Sequence, residues 1–488
     1  MSFELSINDV LASLPAATLA AWGMVILLLE LVTGPRHKSA LGLAGLMGLV
    51  ASLLVMVVGW QRELVGFGAP AGNGLVQDKL ASFLGVLAVA TAALTVVVSM
   101  AYNPRRHIER GEYYALVLFS TAGALLMVAG ADLLVLFLGL ELLSIPLYVL
   151  AGIAAPQAQS EEAALKYFLL GAFASGFLVF GIALVYGASG TTNLAALRSA
   201  LRTAQPGNPL LLAGTGLLLA GLGFKVAAVP FHMWTPDVYE GAPTPVAGFM
   251  SVVAKLAGFA ALMRVLLYAL PALYLDWKIV LSVLAALTMI VGNVAALAQS
   301  NLKRLLAYSS IAHAGYLLIG LAAGGALGAA GAAFYLAAYA FTNMGAFALL
   351  SALVEGAGQH EDQSLDRYTG LGRRHPWLTA AMVIFMLSLM GLPPTAGFFG
   401  KYYLFTAALG GDLAWLAFVG VVTSLISAYY YLRVVVVMTM HEPTHDWPAL
   451  PPACAWVLGI TAMGALLLGL IPGVWWVAVQ AGLDLMGG

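Results

Sequence analysis

The sequence is poor in charge and almost devoid of cysteine, and each scarcity excludes something. Only 9% of its 488 residues are Asp, Glu, Lys or Arg, against about 25% in a soluble domain, while 62% are hydrophobic. A large water-soluble enzyme is not built on that ratio. The net charge of −1 gives nucleic acid no electrostatic reason to bind. A single cysteine, Cys454, cannot close an internal disulfide or supply the thiolates of an iron–sulfur cluster. Barrel-type alternation is absent as well, so helices are the only way to satisfy the backbone in lipid. No cleavable leader is expected, because "AATLAAWGMVILLLELV" is long enough to be a first span.

What is there is a succession of apolar runs. At about 20 apolar residues per crossing, an all-α integral membrane bundle of about fourteen spans is expected. They centre near 16–33, 40–60, 80–101, 113–130, 133–153, 163–187, 209–229, 244–269, 277–298, 304–322, 328–353, 376–409, 414–438 and 453–478. Two of them are interrupted. "GLGFKVAAVPFHMW" carries Lys225 and then Pro230, and "MGLPPTAGFFGK" places Pro393 and Pro394 inside the overlong twelfth run. Proline removes a backbone donor and breaks the ladder, so helices 7 and 12 are expected to be broken. Freed backbone groups and water are expected to gather near Lys225.

With the amino terminus outside, Arg36, Lys38, Arg105, Arg106, Arg110, Lys166, Lys303, Arg304, Arg367, Arg373 and Arg374 flank inner loops. Only Arg62, Lys79, Arg198, Arg202 and Lys278 flank outer ones. Eleven against five is the sense of the positive-inside rule, so both termini are expected on the outer side. The stretch "EGAGQHEDQSLDRYTGLGRRHP" reads as a surface connector on the inner side.

The chain also echoes itself at an offset of 168 residues. "YVLAG" at 148–152 matches "YLLIG" at 316–320, Tyr167 falls on Tyr335, and Ala172-Phe173 falls on Ala340-Phe341. Span 5 then corresponds to span 10 and span 6 to span 11. An offset of five spans inverts the second copy, and inverted repeats with interrupted helices build mid-membrane ion sites. The expected organisation is an N-terminal three-helix segment over 1–110 and a first repeat, spans 4–8, over 111–270. A second repeat, spans 9–13, covers 271–440, and helix 14 lies in 441–488.

Glu141, Lys225, Lys255 and Lys401 are each the only fixed charge in a long stretch of apolar sequence. A charge at the centre of a membrane helix costs about 2.5–3.5 kcal/mol on insertion scales. A structural ion pair or a buried water would account for any one of them; four beside broken helices point to a proton path. Burial and a nearby opposite charge shift lysine and glutamate in opposing senses, so a Glu141–Lys225 pair is the candidate switch. Lys255 could relay from the first half to the second. His313 in "YSSIAHAGY" and His232 are candidate relays or hydrogen-bonded packing residues. Arg264 and Arg433, late in their spans, are expected to reach the headgroups. "HEPTHD" at 441–446 reads as a solvated loop, and no metal or cofactor site is expected.

Four blocks carry a resemblance: "FLGLELLSIPLY", "GFKVAAVPFHMWTPDVYEGAPTPVAGFMSVVAKLAGF", "NLKRLLAYSSIAHAGYLL" and "LSLMGLPPTAGFFGKYYLF". The chain resembles the antiporter-like membrane subunits of bacterial respiratory complex I, the proton-translocating NADH:quinone oxidoreductase. The likeness runs over nearly the whole chain and is most specific over 224–259. It implies fourteen helices with inverted repeats at spans 4–8 and 9–13. It also implies a glutamate on span 5 and lysines on spans 7, 8 and 12, at Glu141, Lys225, Lys255 and Lys401. The M-type members typically have glutamate at the Lys401 position, and L-type members carry a lateral helix after span 14, so an N-type member is expected.

The resemblance further implies that electrons pass from NADH through FMN and iron–sulfur clusters to quinone in other subunits. This chain would move protons in response, without a cofactor of its own. Docking against subunit M and a small three-helix subunit K, in a bacterial inner membrane, is expected. A subunit of a multisubunit cation/proton antiporter, or a non-pumping structural subunit, would share much of the pattern.

Overall fold

The structure is a computed structural model that describes residues 6–34, 38–60, 63–67, 73–202, 207–354, 361, 363–471 and 473–486. Arg36, Arg62, Asp362 and the stretch 355–360 of the inner connector lie outside the described residues.

Apolar composition dictates helices, and short polar side chains at the ends decide where they start. The spans are α1 (Ile7–Val32), α2 (Ser39–Val58), α3 (Lys79–Arg106), α4 (Gly111–Ala129), α5 (Leu133–Ala151), α6 (Ala158–Ser189), α7a (Pro209–Val226) and α7b (Thr235–Gly241). They continue with α8 (Thr244–Ala269), α9 (Tyr274–Leu297), α10 (Leu302–Ala323), α11 (Gly325–Ala352), α12a (Pro376–Met390), α12b (Ala396–Gly410), α13 (Ala414–Met440), α14 (Pro452–Leu470) and α15 (Gly473–Met486). Ser6 caps α1 in a reciprocal box with Asp9, and Asp78, Asp132, Asn208 and Asn301 cap α3, α5, α7a and α10 with their side-chain oxygens. A two-stranded hairpin, β1 (Leu64–Gly66) with β2 (Leu75–Gln77), lies between α2 and α3.

Among the described residues thirteen helices are long and apolar enough to cross a membrane. The fourteenth crossing is split: α12a and α12b have 15 residues each, about 22 Å apiece, and neither alone spans about 30 Å of hydrocarbon. The carboxyl end departs from expectation. The run read as one span, 453–478, is two helices, because α14 stops at Leu470 and a separate helix, α15, packs on α11 and α3. Trp475 stacks on Tyr403 at 3.6 Å, and Asp484 pairs with Lys79 at 3.2 Å.

Burial is graded. Helices α8, α10 and α11 are buried along almost their whole length, whereas α1, α6, α13 and α14 bury one side. The buried central helices are those that carry Lys255, His313 and Tyr335. The inner connector is also more than a surface link. Leu365, Arg367, Tyr368 and Leu371 are buried, and Leu365 N–H and Gln363 C=O bond the turn between α9 and α10. Its apolar side chains fill the bundle's inner end, which its polar composition hid.

Candidate functional site

The two helix breaks create the site. Helix α7a ends one residue after Lys225, with Ala227 in the left-handed region at φ 62°. The breach runs through Pro230 to Trp234. Two backbone groups there meet side chains: Val229 N–H donates to Thr288 Oγ1 at 2.9 Å, and Trp234 Nε1–H donates to Phe224 C=O at 3.1 Å. Pro230 itself is exposed. The expectation that freed backbone groups gather near Lys225 holds for neither of these two, since backbone groups in lipid must be paired.

In the twelfth span Gly391 turns the chain at φ 88°, followed by Pro393 and Pro394. Gly397 then brings its backbone against Ser388 so closely that an added Cβ would lie 1.8 Å from the Ser388 carbonyl oxygen. Lys401 reaches back to the exposed end of α12a. Its Nζ donates to Leu389 C=O at 3.1 Å, Met390 C=O at 2.9 Å and Ser424 Oγ at 2.7 Å. The last carbonyls of a helix carry the negative end of its dipole, so the break supplies a cation seat.

Lys225 donates to Ser144 Oγ at 2.8 Å and to Tyr167 OH at 3.4 Å. Ser144, Tyr148, Ser175 and Lys225 line a small cavity with room for about one water. Glu141 accepts from Ser175 Oγ and shares the half-exposed stripe of α5 with Leu134, Leu138, Ile145 and Val149. Glu141 and Lys225 form no ion pair. The candidate Glu141–Lys225 switch stands with its ion pair unmade: Ser175 on α6 holds Glu141, while Ser144, one turn along α5, holds Lys225.

Lys255 follows a π-helical segment at Met250–Ala254, a distortion frequent at functional sites. Its Nζ donates to the Ser310 carbonyl and, at 2.5 Å, to Ser310 Oγ, which also accepts from Tyr339 OH at 2.9 Å. The bond joins α8 of the first half to α10 of the second. The Lys225 stem packs on Gly258, one turn along α8.

His313 lies one turn beyond Ser310. Its Nδ1 meets Tyr335 OH at 2.5 Å and its Nε2 meets Tyr431 OH at 2.9 Å, and Tyr431 reaches Ser309 Oγ. From there Tyr430 donates to Asn293 Oδ1 at 2.9 Å, Asn293 Nδ2 reaches Tyr316 OH at 3.5 Å, and Lys401 lies 4.6 Å over the Tyr316 ring. Lys225, Lys255 and Lys401 are 3%, 2% and 4% exposed, so none of them snorkels. Among the described residues none of the three has a carboxylate partner; hydroxyls and carbonyls hold them.

His232 stands apart. It is half-buried in the α7 break with Nδ1 unpartnered, and no bond ties it to the row. Arg264 does not reach the headgroups: it is buried and grips Asp78 through Nη1 and Nη2 at 3.0 and 2.9 Å, because a guanidinium in apolar surroundings needs its fork matched. Arg433 donates to Gln299 C=O at 3.3 Å. Lys303, read as a loop-flanking charge, is fully buried and donates to Ala242 C=O at 2.7 Å. Arg304 beside it does meet the expected surface, paired with Asp237 and Glu240. The bridging tyrosines, Asn293 and Ser310 are absent from the expected set, although hydroxyls recurring in the apolar runs of α11 and α13 were a readable signal.

These features define a class: a polytopic membrane protein with a buried row of basic and hydroxylic side chains between two broken helices. The chain belongs to the NADH:quinone oxidoreductase/Mrp antiporter transmembrane family, whose model matches residues 130–427. It is 47% identical over 462 residues to an NADH-quinone oxidoreductase subunit N of Trichlorobacter lovleyi, covering 94% of each chain. It is 48% identical over 465 residues to an NADH-quinone oxidoreductase subunit N 2 of Roseiflexus castenholzii, covering 92% of each. Among solved structures it is similar to a chain of respiratory complex I from Thermus thermophilus, with a TM-score of 0.80 and 39% identity over 94% of this chain and 98% of that one. A chain of the Mrp complex from Dietzia shares the fold, with a TM-score of 0.87 at 21% identity over 99% of this chain and 98% of that one.

Proposed function

We propose that the chain is the N-type, antiporter-like membrane subunit of a proton-translocating NADH:quinone oxidoreductase and carries protons across the membrane. Glu141, Lys225, Lys255 and Lys401 are the charge-changing groups of the path, and His313 bridges Lys255 to the second half. NADH oxidation and quinone reduction take place in other subunits of the complex. Subunit M and the small subunit K are its neighbours, and the half-exposed Glu141 stripe is a face such a neighbour would cover. The two halves are spans 4–8 and 9–13, over 111–270 and 271–440. The membrane is the bacterial inner one, with both termini periplasmic.

The observation that carries this reading is how the three lysines are held. A structural ammonium in hydrocarbon is best fixed by a carboxylate, which keeps it charged. Here neutral oxygens hold each one, so the proton can leave without stranding a buried anion. Tyr167 touches Lys225, and Tyr239 stands between Tyr167 and Ser310, which places hydroxyls between the first two lysines. The repeat offset falls on matching chemistry: Tyr148 and Tyr167 pack edge to face beside Lys225, while Tyr316 and Tyr335 flank His313. A cation/proton antiporter subunit is the second reading; the Mrp likeness favours its fold alone.

The test is twofold. Affinity-tagged chain should co-purify with NADH dehydrogenase activity. Lys225→Ala and Glu141→Ala should each assemble yet lose NADH-driven proton pumping, and normal pumping by both would reject the reading in favour of a scaffold.

A further inference from the structure

A polar ridge runs down α3, outside the ten spans of the two halves. Thr91, Thr95, Ser99 and Asn103 recur every four residues, and all four are buried. Residues four apart stack on one side of a helix. The ridge runs from mid-span toward Arg106, at the end that the Lys and Arg bias assigns to the inner side, and α3 packs against α8 and α11. Thr95 and Ser99 donate to the carbonyls one turn back at 2.8 and 2.7 Å, and Ser99 Oγ meets Tyr113 OH at 2.7 Å.

Back-bonding of this kind is ordinary packing for Ser and Thr in membrane helices. The two ends of the ridge are not ordinary. At the inner end Asn103 is fully buried, and among the described residues no hydrogen bond of ordinary length reaches its amide oxygen or nitrogen. Tyr114 OH faces that amide without a bond of ordinary length, and Glu109 Oε1 has no partner among the described residues. At the mid-membrane end Thr95 Oγ1 lies 3.7 Å from Met344 Sδ, and the adjacent Asn343 has an unpartnered Oδ1. Asn343 Nδ2 donates to Ser251 Oγ, which neighbours Tyr339, the partner of Ser310 at Lys255.

A buried polar atom left unmatched is costly. An amide that needs both a donor and an acceptor is met by water, whereas a cation would satisfy the oxygen and repel the N–H. Burial pushes the Glu109 carboxyl above the ordinary carboxylate range, opposed by Lys38.

We propose that α3 bears a hydrated proton inlet from the inner side, in which water along Asn103, Ser99 and Thr95 links Glu109 to the Ser251–Ser310–Lys255 cluster. A proton taken up at Glu109 passes to water, and the ridge residues hold the waters without changing protonation themselves. The inlet rests on the proton-carrying reading above and adds where the protons enter.

The test uses the whole complex in inverted membrane vesicles, whose inner face meets the medium. In a Cys454→Ser background, Ser99→Cys should react with the small cationic thiol reagent methanethiosulfonate ethylammonium. Val98→Cys, buried about a quarter turn away, should not. Equal labelling of both, or of neither, overturns the inlet. Thr95→Val with Ser99→Ala should lower protons pumped per NADH oxidised, measured beside Lys255→Ala. If Lys255→Ala loses pumping while the α3 pair pumps normally, the inlet is wrong and the function stands. If Lys255→Ala itself pumps normally, the proposed function falls with it. Should the pair fail to assemble, the labelling contrast decides alone.

Discussion

Ser144→Ala isolates one hydrogen bond of the row. Lys225 Nζ has two described polar partners, Ser144 Oγ at 2.8 Å and Tyr167 OH at 3.4 Å, and the second is at the outer limit of a useful bond. Removing the serine hydroxyl therefore takes away the main support of the ammonium. A hydrogen bond to a charged group contributes about 1.5–3 kcal/mol, and every 1.4 kcal/mol is tenfold. The sign is fixed by chemistry: the bond is stronger to the ammonium than to the neutral amine, so the equilibrium constant for holding the proton falls by up to about ten- to hundred-fold. The assay is proton uptake by inverted vesicles divided by NADH oxidation, at matched content of assembled complex. Ser144→Ala should depress that ratio strongly, and Ser144→Thr, which keeps a hydroxyl, should restore it. An unchanged ratio in Ser144→Ala would refute the idea that this serine holds the proton-carrying form of Lys225.

Three further outcomes follow from other parts of the fold. Gly391→Ala should destabilise the chain by about 1–2 kcal/mol through its left-handed backbone and push on Lys401, whose Cδ lies 2.9 Å from the new methyl position; a lower melting temperature with weakened pumping is the readout. Asp78→Asn leaves the Arg264 charge buried without its carboxylate, a change worth about 3–5 kcal/mol, so assembled complex should fall in blue-native gels while pumping per assembled complex holds. Tyr431→Phe deletes the hydroxyl shared by His313 and Ser309 and should slow pumping without reducing complex content, which immunoblotting and vesicle acidification together would show.

Much of this fold was legible because charge contrasts sharply with hydrocarbon. Lys225, Lys255 and Lys401 stand out in apolar runs, and the prolines beside Lys225 and Lys401 announce the breaks. Hydroxyls give no such contrast. Tyr431, Ser310 and Asn293 read as packing, and only folding reveals that they connect the charged groups. Long-range partners were equally hidden: Arg264 and Asp78 are 186 residues apart, so a late-span arginine looked bound for headgroups. Lys303 and Arg304 are adjacent in sequence, yet Lys303 is buried on Ala242 C=O while Arg304 meets Asp237 and Glu240. Opposite charge marked Glu141 and Lys225 as a candidate switch, while the serines that hold them apart, Ser175 and Ser144, gave no such signal.

Everything rests on the claim that ammonium groups sunk among apolar helices are there to hand hydrogen ions onward. The most direct measurement is NADH-driven acidification of liposomes containing purified complex with Lys401→Ala, at verified subunit stoichiometry. Acidification should be reduced, since this residue ends the row in the second half. Full acidification with complete assembly would show that no proton leaves by way of Lys401.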